Sequence, residues 1–276
     1  MICWAMGETM YVSGDHDRPP NQVSVPQSYF FGGVEAAGAA LFALYGRNAM
    51  GEGQHVDVSI RECLPIVMQA ALQYWDMYRI NIPRGVAKGV VPKADGTILY
   101  NPNLHQCKDG LVFLMLGGGK NRAYVLSSAG LVKWMAEEGM AGDLVDLDWS
   151  LYDSVSMPQE IADRALRFVR PFLMKHTKAE LLEQSIKRNI LLAPINTPAD
   201  IAEDEQLAAR GFFVKVKHPE LNDTLTYCGP WMAISETPLT KWRRAPLIGE
   251  HNVEVYENEL GFSREQILSM KQANVI

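Results

Sequence analysis

The sequence predicts an α/β chain, and three observations carry that prediction. Helix and strand signals alternate along its length. Three S/T-x-x-E/Q capping boxes, at Ser59, Thr177 and Ser263, mark helix starts. His55 to Val58 alternates polar and apolar residues as a half-buried strand does.

Taken in order, Gly32 to Leu44 reads as a helix with Ala and Gly on most of its surface, able to lie very close to another backbone. Gly51 and Gly53 suit a turn that needs positive φ, the strand at His55 to Val58 follows, and Ser59 with Glu62 opens a helix carrying Leu64, Ile66 and Val67. The stripe Met68, Leu72, Tyr74, Trp75 and Tyr78 reads as core packing. Asn81 to Gly96 is glycine- and proline-rich, as a linker is. Ile98–Tyr100 and Leu111–Met115 read as strands around the turn Lys108-Asp109-Gly110, and Ala123–Gly139 and Pro158–Lys175 as helices. Gly117 to Gly119 reads as a flexible turn from strand to helix. Thr177 opens the next helix, Ile190–Ile195 is a buried strand, and Phe212–Lys217 pairs with Leu225–Cys228 around Asn222-Asp223. Two helices close the chain, His251–Leu260 and one begun by Ser263.

Composition sets bounds. The 276 residues are 47% hydrophobic and 21% charged, as in an ordinary globular protein with a sizeable core. A net charge of −6 gives no general attraction to nucleic acid or anionic membrane, although it leaves room for a local basic patch that holds phosphates. Cys3, Cys63, Cys107 and Cys228 lack metal-ligand spacing, which predicts free thiols in a reducing, cytoplasmic setting and no metal. No secretory signal and no bilayer-spanning apolar run are visible.

Four stretches carry a resemblance. Arg47 to Glu62, RNAMGEGQHVDVSIRE, resembles the R-x-x-x-G-x-G-Q-x-V-D-V-S-x-x-E segment of family III CoA-transferases, the group that includes carnitine-CoA and formyl-CoA transferases and α-methylacyl-CoA racemase. Ala5 to Pro20, Ala193 to Gly211 and Ala245 to Gly261 (APLIGEHNVEVYENELG) are similar to further landmarks of that family, in family order. The resemblance implies part of a Rossmann-like large lobe in residues 1–80, a linker at 81–100, a smaller α+β lobe at 101–209 and a return to the large lobe at 210–276, in a family of interlocked dimers. Met1 falls mid-domain in the family pattern, so a chain without the N-terminal nucleotide-binding portion is expected. No G-x-G-x-x-G or phosphate-loop pattern occurs.

The resemblance also implies a chemistry. A family Asp attacks the acyl-CoA thioester to give a mixed anhydride, CoA thiolate returns to form an aspartyl-CoA thioester, and the acceptor acid takes the CoA. Here that position holds Tyr29, within Gln27-Ser28-Tyr29-Phe30, and a phenol is mostly protonated at neutral pH and forms no acyl anhydride. Glu35 is the weaker alternative acid. Asp57 reads as an exposed strand position, and Ser28 as nucleophile would need a base that the spacing of His55, His105, His176, His218 and His251 does not supply. These histidines and His16 read as solvated or locally bonded. By the resemblance, Ser28, Tyr29 and Ile60 line the CoA and acyl pocket, coenzyme A thioester is a substrate rather than a bound cofactor, and the partners are acyl-CoA and carboxylic acid substrates and further subunits, in a homo-oligomer or a hetero-oligomer with an Asp-bearing paralogue. A racemase-like enzyme and a non-catalytic binding or structural relative are the alternatives.

Overall fold

The computed structural model describes residues 1–21, 25–67, 69–85, 89–92, 97–154, 156–239 and 242–276, and the chain divides into two units, Met1–Ile195 and Asn196–Ile276. Helices are combined with small sheets, and every strand pairing among the described residues is antiparallel.

The first unit opens with two short helices, α1 (Ile2–Met6) and α2 (Thr9–Val12), followed by α3 (Gln27–Met50). Helix α3 runs past both ends of the predicted Gly32–Leu44. Pro26 sits at its N-cap, where the amide that proline lacks would have no helical partner anyway. At the other end Gly51 takes the left-handed conformation, φ 81°, and its N–H donates to the Arg47 carbonyl at 2.8 Å. Gly32 permits a close approach: a Cβ there would stand 2.8 Å from Cγ1 of Ile60, the first residue of α4 (Ile60–Val67).

Between α3 and α4 the structure departs from the sequence reading. Residues 52–59 form an irregular, largely exposed segment and not a strand. Alternation marks a candidate strand, but a strand exists only through a ladder partner, and none pairs with this segment among the described residues. Helix α4 does begin after Ser59, held by bonds from the Glu62 and Cys63 amides to the Ser59 carbonyl at 3.0 and 3.2 Å, without the predicted side-chain box. In α5 (Gln69–Tyr78) the apolar stripe is not core: Leu72, Trp75 and Tyr78 are exposed, and Met68 lies outside the described residues. Of the glycine- and proline-rich segment, β1 (Val90–Pro92) pairs with β2 (Ile98–Tyr100), while residues 86–88 and 93–96 lie outside the described residues.

The main core is built on β3 (Leu104–Cys107), β4 (Gly110–Leu114) and β5 (Leu192–Ile195), with β4 in the middle. Val112 and Leu114 of β4 are fully buried under α6 (Arg122–Glu137), α7 (Gln159–Leu173) and α8 (Lys178–Arg188), through Leu131, Met135, Val169, Phe172, Leu173 and Leu181. Strand β5 is buried only at Leu192, as an edge strand is. The capping box at Thr177 forms in full: its hydroxyl accepts from the Glu180 amide and the Glu180 carboxylate accepts from the Thr177 amide. Gly117 to Gly119 is a packed turn rather than a flexible one. A Cβ on Gly118 would stand 2.3 Å from the Trp149 carbonyl oxygen, and Ser128 Oγ both accepts from the Gly117 amide and donates to its carbonyl.

The second unit holds α9 (Pro198–Ala202), α10 (Glu205–Ala209), the predicted hairpin as β6 (Phe213–His218) and β7 (Asp223–Cys228), a π-helix at Val253–Glu259 and α11 (Arg264–Gln272). The predicted His251–Leu260 helix is therefore wound wider than an α-helix, with the Leu260 amide bonded to the Val255 carbonyl five residues back. Ser263 and Gln266 complete the third predicted capping box, the second of the three to form.

Two outcomes follow from this core. Phe172 is fully buried with its ring edge-on to Trp134 at 4.7 Å, so Phe172→Ala is expected to cost about 3–5 kcal/mol in a denaturant titration. His105 on β3 is 3% exposed, and burial followed by the nearby Arg170 charge lowers its pKa to about 4, with the Pro102 carbonyl pulling weakly the other way. The unfolded chain then binds this proton more readily than the folded one. Stability from keeping His105 neutral is complete above about pH 6.5 and drains away towards pH 4, by up to about 3 kcal/mol. Urea melts across that range should flatten in His105→Asn.

Candidate functional site

The residues singled out by the sequence sit on the first turns of α3 and the start of α4. Ser28 is buried and Gly32 is closed against Ile60, so Ser28 and Ile60 are carried on helices in direct contact. Tyr29 is 67% exposed, and its side chain makes no hydrogen bond among the described residues. Glu35 lies on the same helix, about 9 Å further along the axis and roughly 120° around it. The helix does not bring the two side chains together.

Glu35 has a different neighbour. Cys63 on α4 is buried, and that burial, followed by the charge of Glu35, pushes its thiol above the ordinary range. The thiol donates to the Ser59 carbonyl at 3.2 Å. Such a thiol is protonated and bonded, the reverse of an activated nucleophile. Asp57 is exposed on the irregular segment before α4. Among the described residues no group of three His, Cys, Asp or Glu side chains is placed to hold a metal ion, and no helix is long and apolar enough to cross a membrane.

The histidines divide by environment. His16, His55 and His251 are exposed. His176 bonds Glu138 at 3.2 Å and packs against Trp134 and Phe172. His105 departs from the reading of every histidine as solvated or bonded: it is buried, and among the described residues neither ring nitrogen meets hydrogen-bond geometry, the Pro102 carbonyl acting on it only as a nearby dipole. His218 is at the centre of a network that the sequence did not reveal. Its Nδ1 meets Glu220 at 2.8 Å and its Nε2 meets the Tyr227 hydroxyl at 2.9 Å. Glu220 also takes Arg244 Nε at 3.0 Å, and Arg244 forks onto Glu250 at 2.6 and 2.8 Å. Glu250, which accepts from the Leu247 amide at 2.7 Å as well, is the acid of the GEH run, so that part of the landmark fixes a loop onto the β6–β7 hairpin.

With the geometry in view, the comparisons identify the class. The CoA-transferase family III pattern matches residues 1–252, and the chain belongs to that family. It is 26% identical over 262 residues to the succinyl-CoA:(R)-benzylsuccinate CoA-transferase subunit BbsE of Thauera aromatica, a match covering 92% of this chain and 59% of that one. It is 27% identical over 285 residues to a formyl-CoA:oxalate CoA-transferase of Streptomyces avermitilis, covering 100% of this chain and 66% of the relative. The chain thus spans about three fifths to two thirds of the length of these relatives. In fold it is similar to a CAIB/BAIF family protein from Brucella suis, with a TM-score of 0.67, 20% identity and coverage of 93% of this chain and 61% of that one.

The Arg244 network gives a specific expectation. The Arg244 bonds hold the Glu250 carboxyl below the ordinary carboxylate range, helped by the Leu247 amide, so the tie is present above about pH 4.5 and lost as the pH falls below it. Glu250→Gln should speed limited proteolysis within residues 242–261 at neutral pH. Asn252→Ala, outside the network, should not.

Proposed function

We propose that this chain is a subunit of a family III CoA-transferase, moving coenzyme A between acyl-CoA thioesters and free carboxylic acids, and that the attacking carboxylate comes from a related, Asp-bearing subunit. The observation that carries the reading is Tyr29: it occupies the position where the family resemblance implies the nucleophile, and its chemistry cannot form the acyl anhydride. One of the relatives is itself a subunit of a CoA-transferase, which supports an assembly of unequal chains. The exposed Phe30, Val34, Phe42 and Tyr45 of α3 support it too, since a run of uncovered apolar side chains marks an interaction surface.

In this reading Ser28, Tyr29 and Ile60 form one wall of the CoA and acyl pocket, with coenzyme A thioester as substrate and the cytosol as the setting. Residues 1–80 and 210–276 belong to the larger lobe and 101–209 to the smaller. Succinyl-CoA and formyl-CoA are the donors to try first, because the relatives use them.

Purified alone, the chain should transfer no CoA from either donor to a panel of carboxylic acids. Combined with the Asp-bearing subunit it should support turnover, with hydroxylamine trapping an acyl group on that subunit and none on this one. Tyr29→Phe should leave the activity of the complex in place, and Tyr29→Asp within the complex should create a second hydroxylamine-sensitive site. Turnover by the unmutated chain alone that Glu35→Gln abolishes and Tyr29→Phe does not would overturn the proposal and move the site to Glu35.

A further inference from the structure

The second unit holds a cavity of about 390 Å³ bounded by α10, Phe212 and the irregular stretch 230–239. Its walls are fixed to one another through the Phe212 backbone. The Phe212 amide donates to the Leu207 carbonyl at 3.0 Å, which ties that residue to α10. The Phe212 carbonyl accepts from the Gly229 amide at 2.6 Å, which brings in Pro230 and Trp231 from beyond the end of β7. That approach depends on glycine, since a Cβ on Gly229 would stand 2.6 Å from the same carbonyl oxygen.

The lining is apolar with one exception. Leu207, Phe212, Met232 and Ile234 form most of it, and Trp231, which also lines it, is 78% exposed, so the greater part of the indole is still to be covered. Among the described residues Arg210 is the one charged residue of the lining, no acid stands in the wall, and the guanidinium makes no ion pair or hydrogen bond. A cleft of this volume with apolar walls and a single polar group has the form of a small-molecule site, in which apolar area supplies the affinity and the polar group selects. Two aromatic side chains favour a flat apolar body, and an uncompensated guanidinium favours a carboxylate attached to it.

We propose that this cavity binds an aromatic monocarboxylic acid, with the ring against Phe212 and Trp231 and the carboxylate beside Arg210. Magnitudes divide the work between the two ends. Arg210 is exposed, and an exposed ion pair contributes no more than about fivefold in affinity, so the charge alone holds nothing and the ring has to supply the rest. The inference goes beyond the CoA-transferase reading and does not draw on it: no thioester and no residue of α3 or α4 enters the argument.

The test is a ligand-observed NMR titration of the full chain with 3-phenylpropanoate, 3-phenylpropanamide and acetate at neutral pH and low ionic strength. The aromatic acid should bind with a Kd of about 1 mM or below, its amide about fivefold more weakly, and acetate not at all. Arg210→Gln should remove the advantage of the acid and leave the amide unchanged. Trp231→Ala should weaken both at least about fivefold, whereas Trp242→Ala, which removes an exposed indole outside the lining, should weaken neither. Arg210 and Trp231 are both exposed, so neither variant takes a contact from the core. No binding of the aromatic acid by the unmutated chain overturns the site, and so does equal weakening in Trp231→Ala and Trp242→Ala. Equal binding of acid and amide, or an advantage of the acid that survives Arg210→Gln, overturns the assignment of a carboxylate to Arg210.

Discussion

Strand β4 is the constraint on which the first unit depends. It is bonded on one side to β3 and on the other to β5, so its backbone polar groups are satisfied while Val112 and Leu114 give up all contact with water. Helices α6, α7 and α8 take their places by covering those two side chains. Where the strand ends, the chain must turn under Trp149 with no room for a side chain, and Gly118 meets that demand. The same burial fixes the roll of α7. With Ala162, Ala165, Leu166, Val169, Phe172 and Leu173 turned inward, Arg167 and Arg170 have to face out. The position of the charge is thus set by the core rather than by the charge itself.

Helix α3 is held by different means. Of its 24 residues only Ser28 and Gly32 are buried, and one close point of its contact with α4 is the fit of Gly32 against Ile60. A residue with a Cβ in place of Gly32 would require the Ile60 side chain or the helices themselves to shift at the turn that carries Ser28 and Tyr29. The helix that carries Ser28 and Tyr29 therefore contributes little to the core. Its apolar outer face has the character of a surface completed by another chain.

What the sequence made legible follows the range of the interactions. The Thr177 and Ser263 boxes, the Gly51 cap and the β6–β7 hairpin are encoded within a few residues, and each appears where the sequence places it. Features that need a distant partner were not legible. His55 to Val58 alternates as a strand but has no ladder partner among the described residues, while β3, with the unpromising residues LHQC, is a strand because β4 lies beside it. Trp75 and Tyr78 look like core and stand exposed, and His105 looks like a surface residue and is buried with no hydrogen-bonded ring nitrogen among the described residues. Nothing in the spacing of Arg164, Arg167 and Arg170 says that, among the described residues, the first alone pairs with an acid, since Asp143 lies 21 residues away.

The landmarks that identify the family also differ in what holds them. Gly51 is required by a left-handed cap, and Glu250 by two bonds from Arg244 and one from the Leu247 amide. Each would cost the fold something to change. The Tyr29 side chain has no such tie: it projects into solvent from the first turn of α3, and the helix is capped and packed without its help. No hydrogen bond among the described residues depends on that side chain. At the position where the resemblance implies the nucleophile, the fold thus places no tie on the side chain, whereas the glycine and glutamate landmarks are each fixed by bonds or backbone conformation.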